Sequence, residues 1–317
     1  MAMVDKIAVI GAGLVGRGWA IVCARASRRV ALYDSNPEAL PLAMQVIEGN
    51  LRDLFGFGLI GVEPDRLLER IEPTSNLAEA VGGASHVQEC ALEQVNLKRE
   101  LFTELDRLAE PEAAIASSSS GLPASSFTEH LPGRARCLIA HPVNPPYLVP
   151  LVELIPAPWT DEEVVLRTQA LMTALGQEPI RTTREIPGFV LNRLQGALLN
   201  EAFKLVQDGI VSVEDVDKTI REGLGLRWAF MGPFETIDLN APGGISDYIH
   251  RYGPMYYEMA QTQSKPREWD DETTGRIERQ RRLLLPEDRL QARQAWRDRR
   301  LMALAAHKAQ ANKTITE

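Results

Sequence analysis

Two residues of this chain carry the strongest chemical signal by type and place. His141 follows the apolar run 136–140 and opens a proline-rich turn, His141-Pro142-Val143-Asn144-Pro145-Pro146, while Glu153 interrupts the apolar run Leu151-Val152-Glu153-Leu154-Ile155. An imidazole changes charge near neutral pH and can take up a proton during a reaction. An unpaired carboxylate inside an apolar strand is costly to bury, so Glu153 needs a partner, and His141 is within reach. In such a pair the carboxylate orients the imidazole and stabilises the imidazolium once it holds a proton. A histidine that only packs in the turn is the competing reading, and Glu153 tips the balance against it.

A second cluster lies at the start of the chain. Gly11, Gly13 and Gly16 come directly after Ile7-Ala8-Val9-Ile10, an amphipathic stretch covers 14–26, and Asp34 closes the apolar run 30–33. This is a strand, a glycine loop, a helix, and an acid about 20 residues on. Gly11 turns the chain, Gly13 lets backbone approach a pyrophosphate, and Gly16 lets helix and strand pack closely, with the helix N-terminus facing the phosphates. A purely structural glycine turn would not need Asp34, whose carboxylate can accept hydrogen bonds from both ribose hydroxyls of NAD. The same charge repels a 2′-phosphate, and Ser35 and Asn36 bring no arginine to accommodate one. NAD is therefore expected rather than NADP.

A base beside a nicotinamide site implies alcohol oxidation. As hydride leaves carbon the hydroxyl proton must leave too, and the incipient carbonyl oxygen wants a donor such as Ser119 or Asn192. Ser119 belongs to a run of four serines, 117–120, which a plain polar loop would also explain. No metal is expected, because His86, His130, His141, His250 and His307 have no Cys or His companion at ligand spacing. No Gly-x-Ser-x-Gly elbow suggests a hydrolase.

These residues must be positioned by alternating elements. Helical stretches at 37–54, from Pro64, 97–108 and 123–131 alternate with apolar runs at 84–87, 113–116 and 136–140; runs at 149–155 and 179–182 flank a helix over 161–175 that Gly176 caps. The alternation predicts an α/β fold with a parallel, doubly wound Rossmann-type sheet. Ligands of such sheets sit beyond the C-terminal strand ends. The polar residues found there are the glycine loop, Asp34, Glu89, Glu93, the four serines, His141 and Asn144. The segment Glu185-Ile186-Pro187-Gly188 breaks the pattern, and helices dominate from Phe189 on, one of them opened by Ser212 with Asp215 three residues later. The expected organisation is a cofactor-binding domain over 1–187 and an all-helical C-terminal domain over 188–317.

The chain has 317 residues, 44% hydrophobic and 25% charged, as in ordinary soluble globular proteins. No apolar run approaches the roughly 18 residues of a membrane span, and the start lacks a signal-peptide pattern, so no membrane partner and a cytoplasmic location are expected. Cys23, Cys90 and Cys137 lie in apolar surroundings and read as buried thiols. A net charge of −8 argues against nucleic acid as a partner. The Arg-rich segment 276–300 is interleaved with Glu278, Glu287, Asp288 and Asp298 and reads as an amphipathic, salt-bridged helix pair.

The serine run with Gly121-Leu122, the block 141–147 with Leu151-Val152-Glu153, and Pro187-Gly188-Phe189-Val190-Leu191-Asn192-Arg193 resemble the L-3-hydroxyacyl-CoA dehydrogenase family over most of the chain. Within it, 141–154, the stretch 223–230 and the tail around 292–298 are most similar to the lambda-crystallin branch, whose members act as L-gulonate 3-dehydrogenase. The resemblance implies that His141 is the base, Glu153 its orienting carboxylate, and Ser119 and Asn192 contacts near the reacting oxygen and nicotinamide, with Asn144 in the same cluster. It also implies that Leu14, Val15, Asp34, Glu93 and Lys98 line the NAD site, and that the helical domain forms a homodimer. The matching serine is Ser119, with a one-residue ambiguity toward Ser118 and Ser120.

A CoA ester benefits from basic residues near its phosphates, yet 36–61 contains one, Arg52, beside Phe55 and Phe57. Arg227 is typical of the lambda-crystallin-like branch and could fork a substrate carboxylate; a surface or interdomain ion pair is its alternative role. The expected activity is NAD-dependent oxidation of the 3-hydroxyl of a small 3-hydroxy acid, with L-gulonate to 3-dehydro-L-gulonate leading. A 3-hydroxyacyl-CoA or a carnitine-type hydroxy acid is the alternative substrate. A non-catalytic NAD-binding sensor or structural protein would keep the glycines and Asp34 without needing His141, Glu153, Ser119 and Asn192 together.

Overall fold

The apolar runs of the first half pair into one sheet. The computed structural model describes residues 6–315. Its strands are β1 (Lys6–Ile10), β2 (Arg29–Tyr33), β3 (Ile71–Thr74), β4 (Ala84–Glu89), β5 (Ala114–Ser117), β6 (Cys137–Pro142), β7 (Leu151–Pro156) and β8 (Glu178–Arg181). They lie in the order β3-β2-β1-β4-β5-β6-β7-β8. The chain steps outward from β1 through β2 to β3 and then returns to β4 on the other side of β1. That reversal is the switch point at which open sheets bind ligands.

Both faces of the sheet are covered, which is why its strands are continuously apolar rather than alternating. Ile7 and Val9 share one core with Trp19, Leu32, Ile47 and Val165, all fully buried. Ala8 and Ile10 point the other way, into a core with Phe102, Phe127, Ile115 and Ile139. Each fully buried phenylalanine or isoleucine contributes about 1.5–3 kcal/mol relative to exposure.

Two strands differ from the sequence reading. β3 was not expected: Ile71 alone of its residues is buried, and Pro73 sits on an edge strand where a missing N–H costs no ladder bond. β7 was expected in a parallel sheet but runs antiparallel to β6, with β8 parallel to β7. The connection over 143–150 is too short for the roughly dozen residues of a parallel crossover, so the chain can only turn back. The helix expected over 123–131 shortens to Ser125–Thr128.

Contacts divide the chain into two compact units, one up to Leu191 together with the residues from Arg297, the other Asn192–Trp296. The sequence reading assigned all of 188–317 to the second. The C-terminal residues return to the first because Met302, on the helix Leu290–Thr314, is buried in the core with Ile47 and Leu51, and Arg299 lies 3.7 Å from Asp53.

The second unit contains helices and, among its described residues, no strand. Ser212 caps Val213–Lys218 by accepting from the Asp215 N–H. In the Arg-rich segment Arg297 pairs with Asp298 as expected, while Arg281 pairs with Asp217 and Arg299 with Asp53, acids outside the segment. Cys23 and Cys137 are buried and Cys90 half-buried, all as free thiols. Among the described residues no helix is long and apolar enough to cross a membrane.

Candidate active site

The turn after β1 is built by glycines for separate steric reasons. Gly11 has φ +109°, and a Cβ there would stand 2.8 Å from the Cys90 carbonyl oxygen; one on Gly16 would stand 1.7 Å from the Gly11 oxygen. A Cβ on Gly13 would meet no protein atom within 4 Å. Open space at this glycine is what a bound pyrophosphate requires.

The helix Leu14–Arg25 starts at Gly13 without a side-chain cap or an acid in its first turn. Its first internal bond is Arg17 N–H to Gly13 O, 3.0 Å, so the preceding amides are available to an anion. Leu14 is exposed and Val15 half-buried. Asp34 accepts from the Ala12 N–H at 2.8 Å and the Asn36 N–H at 2.9 Å, which ties it to the glycine loop and leaves lone pairs for ribose hydroxyls. This donor and acceptor set fits NAD.

The serine run sorts itself by hydrogen bonds. Ser117, fully buried, donates to Glu89, and Lys98 donates to both Glu89 oxygens at 2.8 and 2.7 Å and to the Ser117 hydroxyl at 3.3 Å. All three N–H donors of Lys98 are thereby met by protein oxygens beneath the loop. Ser118 accepts from the Gln88 amide at 2.7 Å and the Trp19 indole at 3.1 Å. That leaves its proton for the Cys90 sulfur, 3.3 Å away.

Ser119 and Ser120 turn instead to Glu93, which receives both hydroxyls at 2.7 Å and the N–H groups of Ser120, Gly121 and Leu122. Burial works against charge on Glu93, but the Ser120 and Ser119 hydroxyls and the Gly121 and Leu122 amides outweigh it and hold the carboxyl at about 2. Ser119 also accepts from the Leu122 N–H at 3.0 Å. In this conformation its single proton goes to Glu93, and a donor role toward a substrate oxygen requires the hydroxyl to rotate away from that carboxylate.

The reversal at β7 makes the acid–base pair. His141 and Glu153 are directly opposed in the β6–β7 register, and His141 Nδ1 lies 2.7 Å from Glu153 Oε2. Glu153 is fully buried, yet its other oxygen accepts from the Val190 and Leu191 N–H groups at 2.8 and 3.0 Å. Those amides open the helix Phe189–Gln207, whose N-terminus favours an anion. Burial alone would raise this carboxyl; the His141 bond and the two amides outweigh it and lower it. With Glu153 ionised, Nδ1 carries the proton, and the Nε2 lone pair remains to take one.

Phe189 packs beside the imidazole at 5.6 Å between ring centroids. Gly188 and Phe189 both have positive φ, +77° and +50°. For a phenylalanine this is a strained backbone, maintained where the helix start must face Glu153. The turn carrying exposed Asn144 is keyed to the glycine-loop helix: a Cβ on Gly18 would stand 2.6 Å from Pro146 Cδ, and Arg25 donates to the Tyr147 carbonyl at 2.8 Å.

The first unit thus contains the glycine loop, Asp34, Glu93, Lys98, Ser119, Asn144, His141 and Glu153. Asn192 opens the second unit, and Arg227 lies within it on the short helix Gly225–Trp228, which follows a π-helical turn. Sequence reasoning missed Trp19, Gln88 and Phe189, and the two amides that hold Glu153. The break Pro187-Gly188 before a helix was the one available sign of those amides.

Residues 6–186 match the family described as 3-hydroxyacyl-CoA dehydrogenase, NAD binding domain, and residues 188–277 match 3-hydroxyacyl-CoA dehydrogenase, C-terminal domain. The chain is 45% identical over 310 residues to a lambda-crystallin homolog of Bos taurus, covering 96% of each. It is 38% identical to an L-carnitine dehydrogenase of Streptomyces coelicolor over 79% of this chain and 78% of that one. Among solved structures it is similar to 3-hydroxybutyryl-CoA dehydrogenase of Escherichia coli K12, with TM-score 0.65 and 30% identity, over 74% of this chain and 49% of that longer one.

Proposed function

Since the chain belongs to the 3-hydroxyacyl-CoA dehydrogenase family and is an NAD-dependent oxidoreductase acting on CH–OH, we propose that it oxidises the 3-hydroxyl of a small 3-hydroxy acid. L-gulonate, giving 3-dehydro-L-gulonate, is the leading substrate. The observation that carries the reading is the His141–Glu153 pair, with Nδ1 bonded to a buried carboxylate, in the same compact unit as the glycine loop.

Bound NAD supplies the acceptor for the hydrogen and electron pair that leave the substrate carbon. His141 Nε2 takes the hydroxyl proton, and Glu153 stabilises the resulting imidazolium without taking the proton itself. From the family resemblance, Ser119, Asn144 and Asn192 are proposed as substrate contacts. The glycine loop with Leu14, Val15, Asp34, Glu93 and Lys98 is proposed to serve the cofactor.

Arg227, exposed on its short helix, is the group that would grip a substrate carboxylate. Similarity to the lambda-crystallin homolog across nearly the whole chain favours the gulonate assignment. Similarity to an L-carnitine dehydrogenase over 79% of the chain keeps a carnitine-type 3-hydroxy acid as the second substrate to test.

A homodimer is part of the proposal. The helix Gly244–Gln263 buries none of its residues, and Ile249, Met255 and Tyr257 on it are 56%, 47% and 72% exposed, an apolar surface suited to a second copy. The mechanism is tested with His141→Ala. Removing the base should lower kcat by about 10²–10⁴; turnover within threefold of the parent would exclude it.

A further inference from the structure

We propose that Gln88 is a positioning residue that sets the serine loop against the strand end carrying the base His141. This rests on the proton-transfer reading above and adds to it the group that spaces two of its parts. Gln88 is buried on β4, and its side-chain amide donates to the Ser118 hydroxyl at 2.7 Å and to the Ala140 carbonyl at 3.2 Å. Ser118 follows the end of β5, and Ala140 directly precedes His141 on β6. One side chain therefore joins three neighbouring strands at the end where the site forms.

The reach is built into the register. Gln88 is opposed by Ala116 on β5 and Ala116 by Leu138 on β6, so the amide crosses the sheet over a methyl group. The β5–β6 pairing ends at Ser117 and Ile139, one residue short of Ala140. The loop has other holds: the Ser118 N–H donates to the Glu89 carbonyl, the Ser118 oxygen accepts from the Trp19 indole, and the Ser119 N–H donates to Ser117 Oγ. His141 is held from its other side by β7. What Gln88 adds is a direct link from the loop to the residue before the base.

The orientation of that amide is set by His86. The Ala140 carbonyl can only accept, so the Gln88 group facing it is the NH₂, and the Gln88 oxygen faces His86 Nε2 at 3.0 Å. His86 therefore carries its ring proton on Nε2, and burial, which lowers it to about 4, keeps the ring neutral near pH 7. Apolar side chains at 86 and 88 would fill this core without burying polar groups. A chain of buried polar groups, satisfied at each step, supplies orientation instead.

The test uses Gln88→Met, His86→Leu and His86→Gln in the full-length protein, with the best substrate of the wild type. Rates are read at a temperature where circular dichroism shows each variant folded, and NAD affinity is measured separately by calorimetry. Gln88→Met nearly keeps the volume and removes both donors. A displacement of about 1 Å at a reacting group costs on the order of 10²-fold in rate, so kcat should fall by about tenfold or more while the NAD Kd moves by less than about twofold. His86→Leu removes the donor that orients the amide and should also lower kcat. His86→Gln places an N–H donor as far along the side chain as the imidazole Nε2 and should bring kcat back to within about threefold of the parent.

A purely structural role would lower Tm and leave the folded Gln88→Met protein with kcat within threefold of the parent, and that result would overturn the proposal. So would a weakening of NAD binding equal to the loss in kcat/KM. Should Gln88→Met fail to fold, the His86 variants decide: a loss in His86→Leu that His86→Gln restores supports the proposal, and equal kcat in the two contradicts it. Retained turnover in His141→Ala would instead strike the underlying mechanism, so the two failures are distinguishable.

Discussion

Replacing Glu153 with glutamine removes one charge and changes almost no volume, so its effect is set by the hydrogen bonds the carboxylate makes. One oxygen of Glu153 holds the His141 Nδ1–H and the other holds two helix amides. A glutamine must choose. If its oxygen takes the Val190 and Leu191 amides, its NH₂ faces Nδ1 and forces the proton onto Nε2, which removes the lone pair that accepts the substrate proton. If its oxygen takes Nδ1–H, its NH₂ faces two donors in a buried site. Either arrangement also removes the charge that stabilises the imidazolium. With charge centres roughly 4 Å apart and an effective dielectric of about 20, that attraction is about 4 kcal/mol, or near three decades in rate. His141 and Glu153 are 6% and 0% exposed, so solvent screens little of it. The assay is the initial rate of NADH formation at saturating NAD, with NAD affinity measured in parallel. We expect kcat to fall about 10³-fold with NAD binding within twofold. A loss smaller than tenfold would refute the argument that Glu153 orients and stabilises the base.

The two inner glycines of the cofactor loop should separate stability from binding. Gly16→Ala places a methyl 1.7 Å from the Gly11 oxygen and should lower Tm, at a cost of about 1–3 kcal/mol or more, whereas Gly13→Ala meets no protein atom and should keep Tm while weakening NAD at least tenfold. Equal Tm losses in calorimetry would contradict this. His86 gives a pH dependence: burial lowers it to about 4, only partly offset by its bond to Gln88. Between pH 6.5 and 4 the unfolded chain binds the His86 proton and the folded chain does not, so stability falls as pH falls through that window, by up to about 3 kcal/mol. Urea unfolding should show the wild type losing more stability than His86→Gln from pH 7 to 4.5; parallel losses would rule this out.

The elements that cradle the cofactor were legible because each is local: a strand, three glycines with distinct steric duties, and an acid at the end of the next strand. The pairing of His141 with Glu153 was legible from cost alone, since a carboxylate in an apolar strand demands a partner. The reason they meet was not, because it depends on β7 running back along β6, a consequence of a short proline-rich connection rather than of strand composition. The charge state of Glu153 depends on main-chain amides of Val190 and Leu191, to which side-chain patterns are blind. The resemblance implies Lys98 as a cofactor contact, and only the fold shows that Glu89 and Ser117 from two neighbouring strands hold its ammonium in place. β3 escaped notice because an edge strand with one buried residue has no apolar run to find. The return of the C-terminal helix rests on Met302, its buried residue, which follows directly on the Arg-rich segment.

The central claim, oxidation of a 3-hydroxy acid with NAD, is tested most directly by initial rates of reduced cofactor formation. L-gulonate, DL-3-hydroxybutyrate, L-carnitine and 3-hydroxybutyryl-CoA would be compared at equal concentrations, first with NAD and then with NADP. The account predicts turnover with NAD and the highest kcat/KM for L-gulonate. No turnover of any of the four, despite measurable NAD binding, would contradict it, and a clear preference for the CoA ester would overturn the proposed substrate class.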